Sequence, residues 1–75
     1  MKELVEVIAK NLVANPDEVV VVKEENGKHT KLILSVDPSD MGKVIGKQGK
    51  IAKAMRNVVK AAAMKEKKTV DVEIQ

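Results

Sequence analysis

Gly46 and Gly49 bracket a lysine and an amide, and the stretch from Lys50 to Lys65 that follows contains neither Gly nor Pro. That pattern calls for a tight reversal opening directly onto a long helix. Glycine lacks a Cβ, so the main chain can turn sharply there and approach a ligand closely. The two residues before the turn, Val44 and Ile45, are apolar and tie its entry to a core. Amide groups at the head of the next helix favour anions, and the helix dipole adds to this. Lys47 places a formal positive charge at the tip.

Charge is distributed to match. The chain of 75 residues carries a net charge of +3. Between Met41 and Lys68, however, nine cations face Glu66 alone, a local balance of +8. The remainder holds five lysines and ten acids, a balance of −5. Such asymmetry points to a surface that meets a polyanion. There is no Phe, Tyr or Trp. Recognition by stacking bases on aromatic rings, the method of RNA-recognition motifs and many oligonucleotide-binding barrels, is therefore excluded. A groove floored by aliphatic side chains and closed by a glycine loop fits the composition.

Length predicts one domain covering residues 1–75, near the lower limit for folding without staples. No cysteine is present, so disulfides and thiolate metal sites are absent. No stretch resembles a signal peptide or a run of about 20 apolar residues that would cross a bilayer. A cytoplasmic protein without a membrane partner is the expectation.

Periodicity places the elements. Leu4, Val5, Ile8 and Leu12 recur at helical spacing, predicting an amphipathic helix over 1–14 that ends at Asn15-Pro16. Two β-rich runs, 19–23 and 30–36, flank Asn26-Gly27, a two-residue hairpin signal. Taking those two residues as the turn sets Val21 opposite Leu32 and Val19 opposite Leu34. One face then carries those four residues and Val36 to the core. Val20, Val22, Lys31 and Ile33 share the other face, a possible partner surface. Asp37-Pro38-Ser39-Asp40 reads as a helix start, with a capping carboxylate, proline at the first position and an acid near the positive end. The short helix that follows takes Met41, Val44 and Ile45 toward the core and breaks at Gly46. In the long helix, Ile51, Met55, Val58 and Ala62 form the expected inward stripe, with Lys53, Arg56, Asn57 and Lys60 opposite. Val70, Val72 and Ile74 alternate with acids as a final strand, whose pairing partner is left open.

The order helix–strand–strand–helix–helix–strand, with Val44-Ile45-Gly46-Lys47-Gln48-Gly49 between the second and third helices, resembles the KH domain of type II. Its fold class is α+β, three helices covering one face of a three-stranded mixed sheet. Leu12-Val13-Ala14-Asn15-Pro16-Asp17-Glu18-Val19 and the run Gly46 to Ala54 are similar to the bacterial KhpA family of stand-alone KH domains. The family's usual aliphatic residue three positions after the second glycine is replaced by Ala52, with Ile51 just before it. In KH domains the glycine loop clamps the backbone of about four nucleotides. The resemblance implies cytoplasmic RNA binding, homodimerisation, pairing with a second, larger KH protein, and a role as an RNA chaperone or post-transcriptional regulator.

The candidate contacts with single-stranded RNA are Gly46, Lys47, Gln48 and Gly49, flanked by Lys43 and Lys50. Val44 and Ile45 offer aliphatic contacts to bases, and Lys53 and Arg56 extend the basic face. Lys65, Lys67 and Lys68 belong to a charged loop that, as the resemblance to type II KH domains implies, faces the groove from the opposite side. Single-stranded DNA is an alternative ligand, because no sequence feature identifies a 2′-hydroxyl reader. The rival reading is a dimerisation subunit that uses the fold without touching nucleic acid. An enzyme is not expected. His29 sits beside a hairpin turn, helix capping accounts for Asp37 and Asp40, and no nucleophile–base pair or metal-ligand cluster occurs. The glycine spacing matches neither a Walker loop nor a dinucleotide fingerprint, so no cofactor is expected.

Overall fold

A computed structural model describes all 75 residues. Helix α1 runs Lys2–Leu12 and carries Val5 and Ala9 into the core, with Leu4, Ile8 and Leu12 packed beside them. It ends two residues short of the expected 1–14, with Val13 in extended conformation. The next amides do not continue the helix: Ala14 N and Asn15 N donate to the Asp40 carboxylate at 3.2 and 3.0 Å.

Strands β1 (Val20–Asn26) and β2 (His29–Ser35) form the expected antiparallel hairpin, shifted in register. Asn26 pairs with His29, so the turn is Gly27-Lys28 rather than Asn26-Gly27. Val21 therefore faces Leu34, and Lys23 faces Leu32. Only Gly27 has positive φ (64°) in this turn. That places glycine at the first central position, as a type II′ turn demands, whereas Asn-Gly as the turn would need positive φ at both residues. The slip is two residues in the pairing sum, so every side chain keeps its face. Val19, Val21, Leu32 and Leu34 are buried as expected, while Val20 and Val22 on the open face are 52% and 48% exposed.

After β2, Asp37 accepts from Ser39 N (2.9 Å) and Ser39 Oγ (2.7 Å), capping the turn Pro38–Asp40. Helix α2 (Met41–Ile45) buries Val44 completely and leaves Ile45 37% exposed, so Ile45 is not the core residue expected. Helix α3 spans Lys50–Lys65, the uninterrupted stretch read from the sequence. Its inward stripe is Ala52, Met55, Val59 and Ala63, and Val58 is 48% exposed. Met55 is common to both stripes, and the other three positions move on by one residue, which turns the stripe by about 75° at 100° per residue. Val58-Val59 and Ala61-Ala62-Ala63 make the two stripes nearly degenerate in sequence.

Strand β3 (Thr69–Ile74) answers the open question of pairing. It lies parallel to β2, with Leu32 opposite Val72, and gives the sheet order β1-β2-β3. A parallel neighbour needs a long crossover, here supplied by α2, the glycine turn and α3. All three helices cover one face of the mixed sheet, around a core centred on Leu32, Leu34, Val5, Val44 and Val59.

Candidate nucleic-acid interface

Helix α2 closes when Gly46 N donates to Gly42 O at 2.9 Å. Gly46 then adopts φ 77°, ψ 173°, a region open essentially to glycine alone. Its lack of a side chain is needed twice, because Ile51 lies across it. A Cβ on Gly46 would stand 2.6 Å from Ile51 Cγ1. Gln48 (φ 58°, ψ 25°) and Gly49 (φ 75°, ψ 14°) follow in left-handed conformation. Nothing crowds Gly49, so its glycine serves the backbone angle alone. Gly49 N donates to Gly46 O (3.1 Å) and Lys50 N donates to Lys47 O, closing the turn. None of the loop's hydrogen bonds uses the amides of Lys47 or Gln48.

Lys47, Gln48 and Lys50 are exposed at this turn, and Lys53 continues the exposed cations one turn along α3. Three other candidates are differently placed. Val44 is fully buried beneath the loop, in the core rather than on a groove floor. Lys43 pairs with Asp40 at 3.2 Å. Arg56 is turned to the sheet, where its Nε donates to the carbonyl of Val72 at 3.1 Å.

Two residues outside the expected set shape the loop. Ile51 seats Gly46, as described. Asp40, 1% exposed, is the single buried acid and makes no capping hydrogen bond to its helix. It joins the end of α1 to the start of α2 through Ala14 N, Asn15 N and Asn15 Nδ2 (3.2 Å), with Lys43 on the same carboxylate. Burial pushes its carboxyl up, but the hydrogen bonds from Ala14, Asn15 and Lys43 outweigh this and hold it below its ordinary value. Its main partners lie 25 and 26 residues away in sequence, beyond any local signal. No three of the His, Cys, Asp and Glu side chains converge in a way that could hold a metal ion, and no helix is long and apolar enough to cross a membrane.

A three-stranded mixed sheet backed by three helices, with a left-handed Gly-x-x-Gly turn between the second and third, defines a KH domain. The family model described as "KhpA/KhpB, KH domain" matches residues 2–74, and the chain belongs to that family. The RNA-binding protein KhpA of Clostridium perfringens is 62% identical over 74 residues, covering 99% of both chains. Its counterpart in Caldanaerobacter subterraneus is 63% identical over 75 residues, with 99% of each chain covered. Among solved structures, Era of Aquifex aeolicus superposes with a TM-score of 0.67 at 20% identity, covering 97% of this chain and 28% of Era. That likeness concerns the fold.

Proposed function

We propose that this protein binds single-stranded RNA, with the Gly46–Gly49 turn gripping the sugar–phosphate backbone. The observation that carries the reading is the turn itself. Two glycines and left-handed Gln48 leave the amides of Lys47 and Gln48 out of the turn's own hydrogen bonds, and exposed Lys47 and Lys50 add ammonium groups beside them. Close relatives across the full length bear the name RNA-binding protein KhpA, which supports the same ligand. Contacts to phosphate dominate such a site, so binding weakens as salt rises. Lys53 lies where it can steer the strand, whereas Lys43 and Arg56 act while held by Asp40 and Val72.

The residues 1–75 work as one KH unit in the cytoplasm, as an RNA chaperone or post-transcriptional regulator. Such a short site binds weakly alone, and a second copy raises avidity without new contacts. Apolar surface outside the loop, at Val58 (48% exposed) and on the open sheet face at Val20 and Val22, supports a homodimer or pairing with a larger KH protein. A purely scaffolding role is the alternative those same surfaces favour.

The test is Lys47→Asp combined with Gln48→Asp. Both side chains are exposed, so the circular dichroism spectrum stays unchanged while two added carboxylates repel phosphate. Gel shifts with single-stranded RNA and DNA should lose the RNA complex. Undiminished RNA affinity in the folded variant rejects the loop as the binding site.

A further inference from the structure

At the tip of the β1–β2 hairpin, Asn26 closes β1 and Gly27 opens the turn, and both are exposed. Asparagine is among the thermolabile residues, but its surroundings decide whether it reacts. Two of the other asparagines are held through their amides: Asn11 Nδ2 donates to Val7 O at 2.7 Å, and Asn15 Nδ2 to the Asp40 carboxylate at 3.2 Å. The Asn26 carboxamide makes no hydrogen bond within the chain. The amide that follows each asparagine differs too. Leu12 and Val58, after Asn11 and Asn57, lie inside α1 and α3. Pro16, after Asn15, has no N–H. Gly27 N, by contrast, takes part neither in the strand pairing nor in any hydrogen bond of the turns. Gly27 has φ 64°, and the place a Cβ would occupy there is open space. Its nitrogen is therefore free and unshielded, one bond from the reactive side chain.

We propose that Asn26-Gly27 is a site of spontaneous covalent modification, at which the Asn26 amide becomes aspartate or isoaspartate. The site stands apart from RNA binding. Hydroxide removes the proton of Gly27 N, whose electron pair adds to Asn26 Cγ. As that C–N bond forms, the Cγ–Nδ2 bond breaks, and the departing nitrogen takes a proton from water and leaves as ammonia. Water then adds to either carbonyl of the resulting succinimide and opens the ring. Opening at the main-chain carbonyl gives isoaspartate, and opening at the other gives aspartate. The hairpin makes the two products unequal. Aspartate keeps the backbone path and adds a negative charge next to Lys28 and His29. Isoaspartate routes the main chain through the side chain and lengthens it by one carbon. That extra atom falls where Asn26 pairs with His29 and where Lys28 O accepts from Thr69 N at 3.1 Å. The second bond ties the hairpin tip to the start of β3, so the lengthened turn loosens this end of the sheet.

The experiment ages the whole chain at physiological temperature and mildly alkaline pH. Peptide mass spectrometry follows each asparagine, and isoaspartyl methyltransferase labelling scores isoaspartate. Asn26 is converted to acid, with isoaspartate present, while Asn11, Asn15 and Asn57 remain amides. Gly27→Ala places a methyl group beside the attacking nitrogen and suppresses the conversion. Because φ 64° disfavours alanine, Asn26→Gln supplies a second block that leaves the turn backbone alone. The isoaspartate form, separated by ion exchange, melts below the fresh chain, whereas Asn26→Asp melts with it. Asn26 left intact, equal conversion at the other asparagines, or undiminished conversion in both blocking variants overturns the site. An isoaspartate form as stable as the fresh chain, or an Asn26→Asp variant that melts as low as that form, overturns the consequence assigned to the lengthened turn.

Discussion

Gly46 and Gly49 look interchangeable in the motif, yet they are glycines for different reasons. Gly49 needs only its positive φ, and a side chain there would meet open space. Gly46 combines a backbone region closed to other residues with the Ile51 side chain lying against its Cα. Gly46→Ala should therefore cost more than about 1–3 kcal/mol, the strain term alone, and Gly49→Ala about 1–2 kcal/mol. Ile51→Ala in the Gly46→Ala background removes the contacts with Cγ1 and Cδ1 but keeps the Ile51 Cβ, 2.9 Å from the new methyl, and the backbone strain, so it should recover only part of the loss. Urea midpoints for these variants check the ranking, and equal losses at the two glycines would contradict it. Lys67 offers the opposite case. It sits at φ 58° just beyond α3, where Lys67 N donates to Met64 O and Lys68 N to Ala63 O. This is a Schellman closure with lysine where glycine is preferred. Lys67→Gly should raise stability by about 0.5–1 kcal/mol, measured by the same denaturation.

Among elements, α2 is the most dependent on its surroundings. Five residues make too short a helix to persist alone, and the glycine turn hangs from its end. Asp40 holds its beginning to the end of α1, and Val44 holds its body to the core. Because the Asp40 carboxyl is depressed when folded, its contribution is complete above the unfolded value of about 3.9 and disappears as pH falls through the lower folded value. The melting temperature should drop on acidification below about pH 4, and Asp40→Asn should flatten that limb. An acid limb unchanged in the variant would show that Asp40 does not govern it. The sequence displayed α3 and its basic flank clearly, because nothing interrupts Lys50 to Lys65. It could not rank Val58 against Val59 as the inward residue, since both are equally apolar and three alanines follow. Nor could it reveal Asp40, whose partners belong to another element. The hairpin register failed on a single choice of turn residue, and the core survived because the slip preserved side-chain parity.

Over the whole molecule, a small core without aromatic rings or disulfides leaves little reserve. Leu34, fully buried beside Val21 and Ile74, is among the largest side chains in it. Leu34→Ala should cost about 2–5 kcal/mol, a large part of the roughly 5–15 kcal/mol typical of a folded domain. A urea titration checks this, and a loss below that range would mean the site collapses around the smaller residue. The strand that completes the sheet comes after every helix and lies parallel to a partner made much earlier in the chain. During synthesis, then, the glycine turn emerges well before Val70 and Val72 can cover Leu32 and secure α3 behind it. A nascent chain on the ribosome would own the motif but not the rigid seat beneath it, so the turn gains its fixed support late, with the residues beyond Lys68.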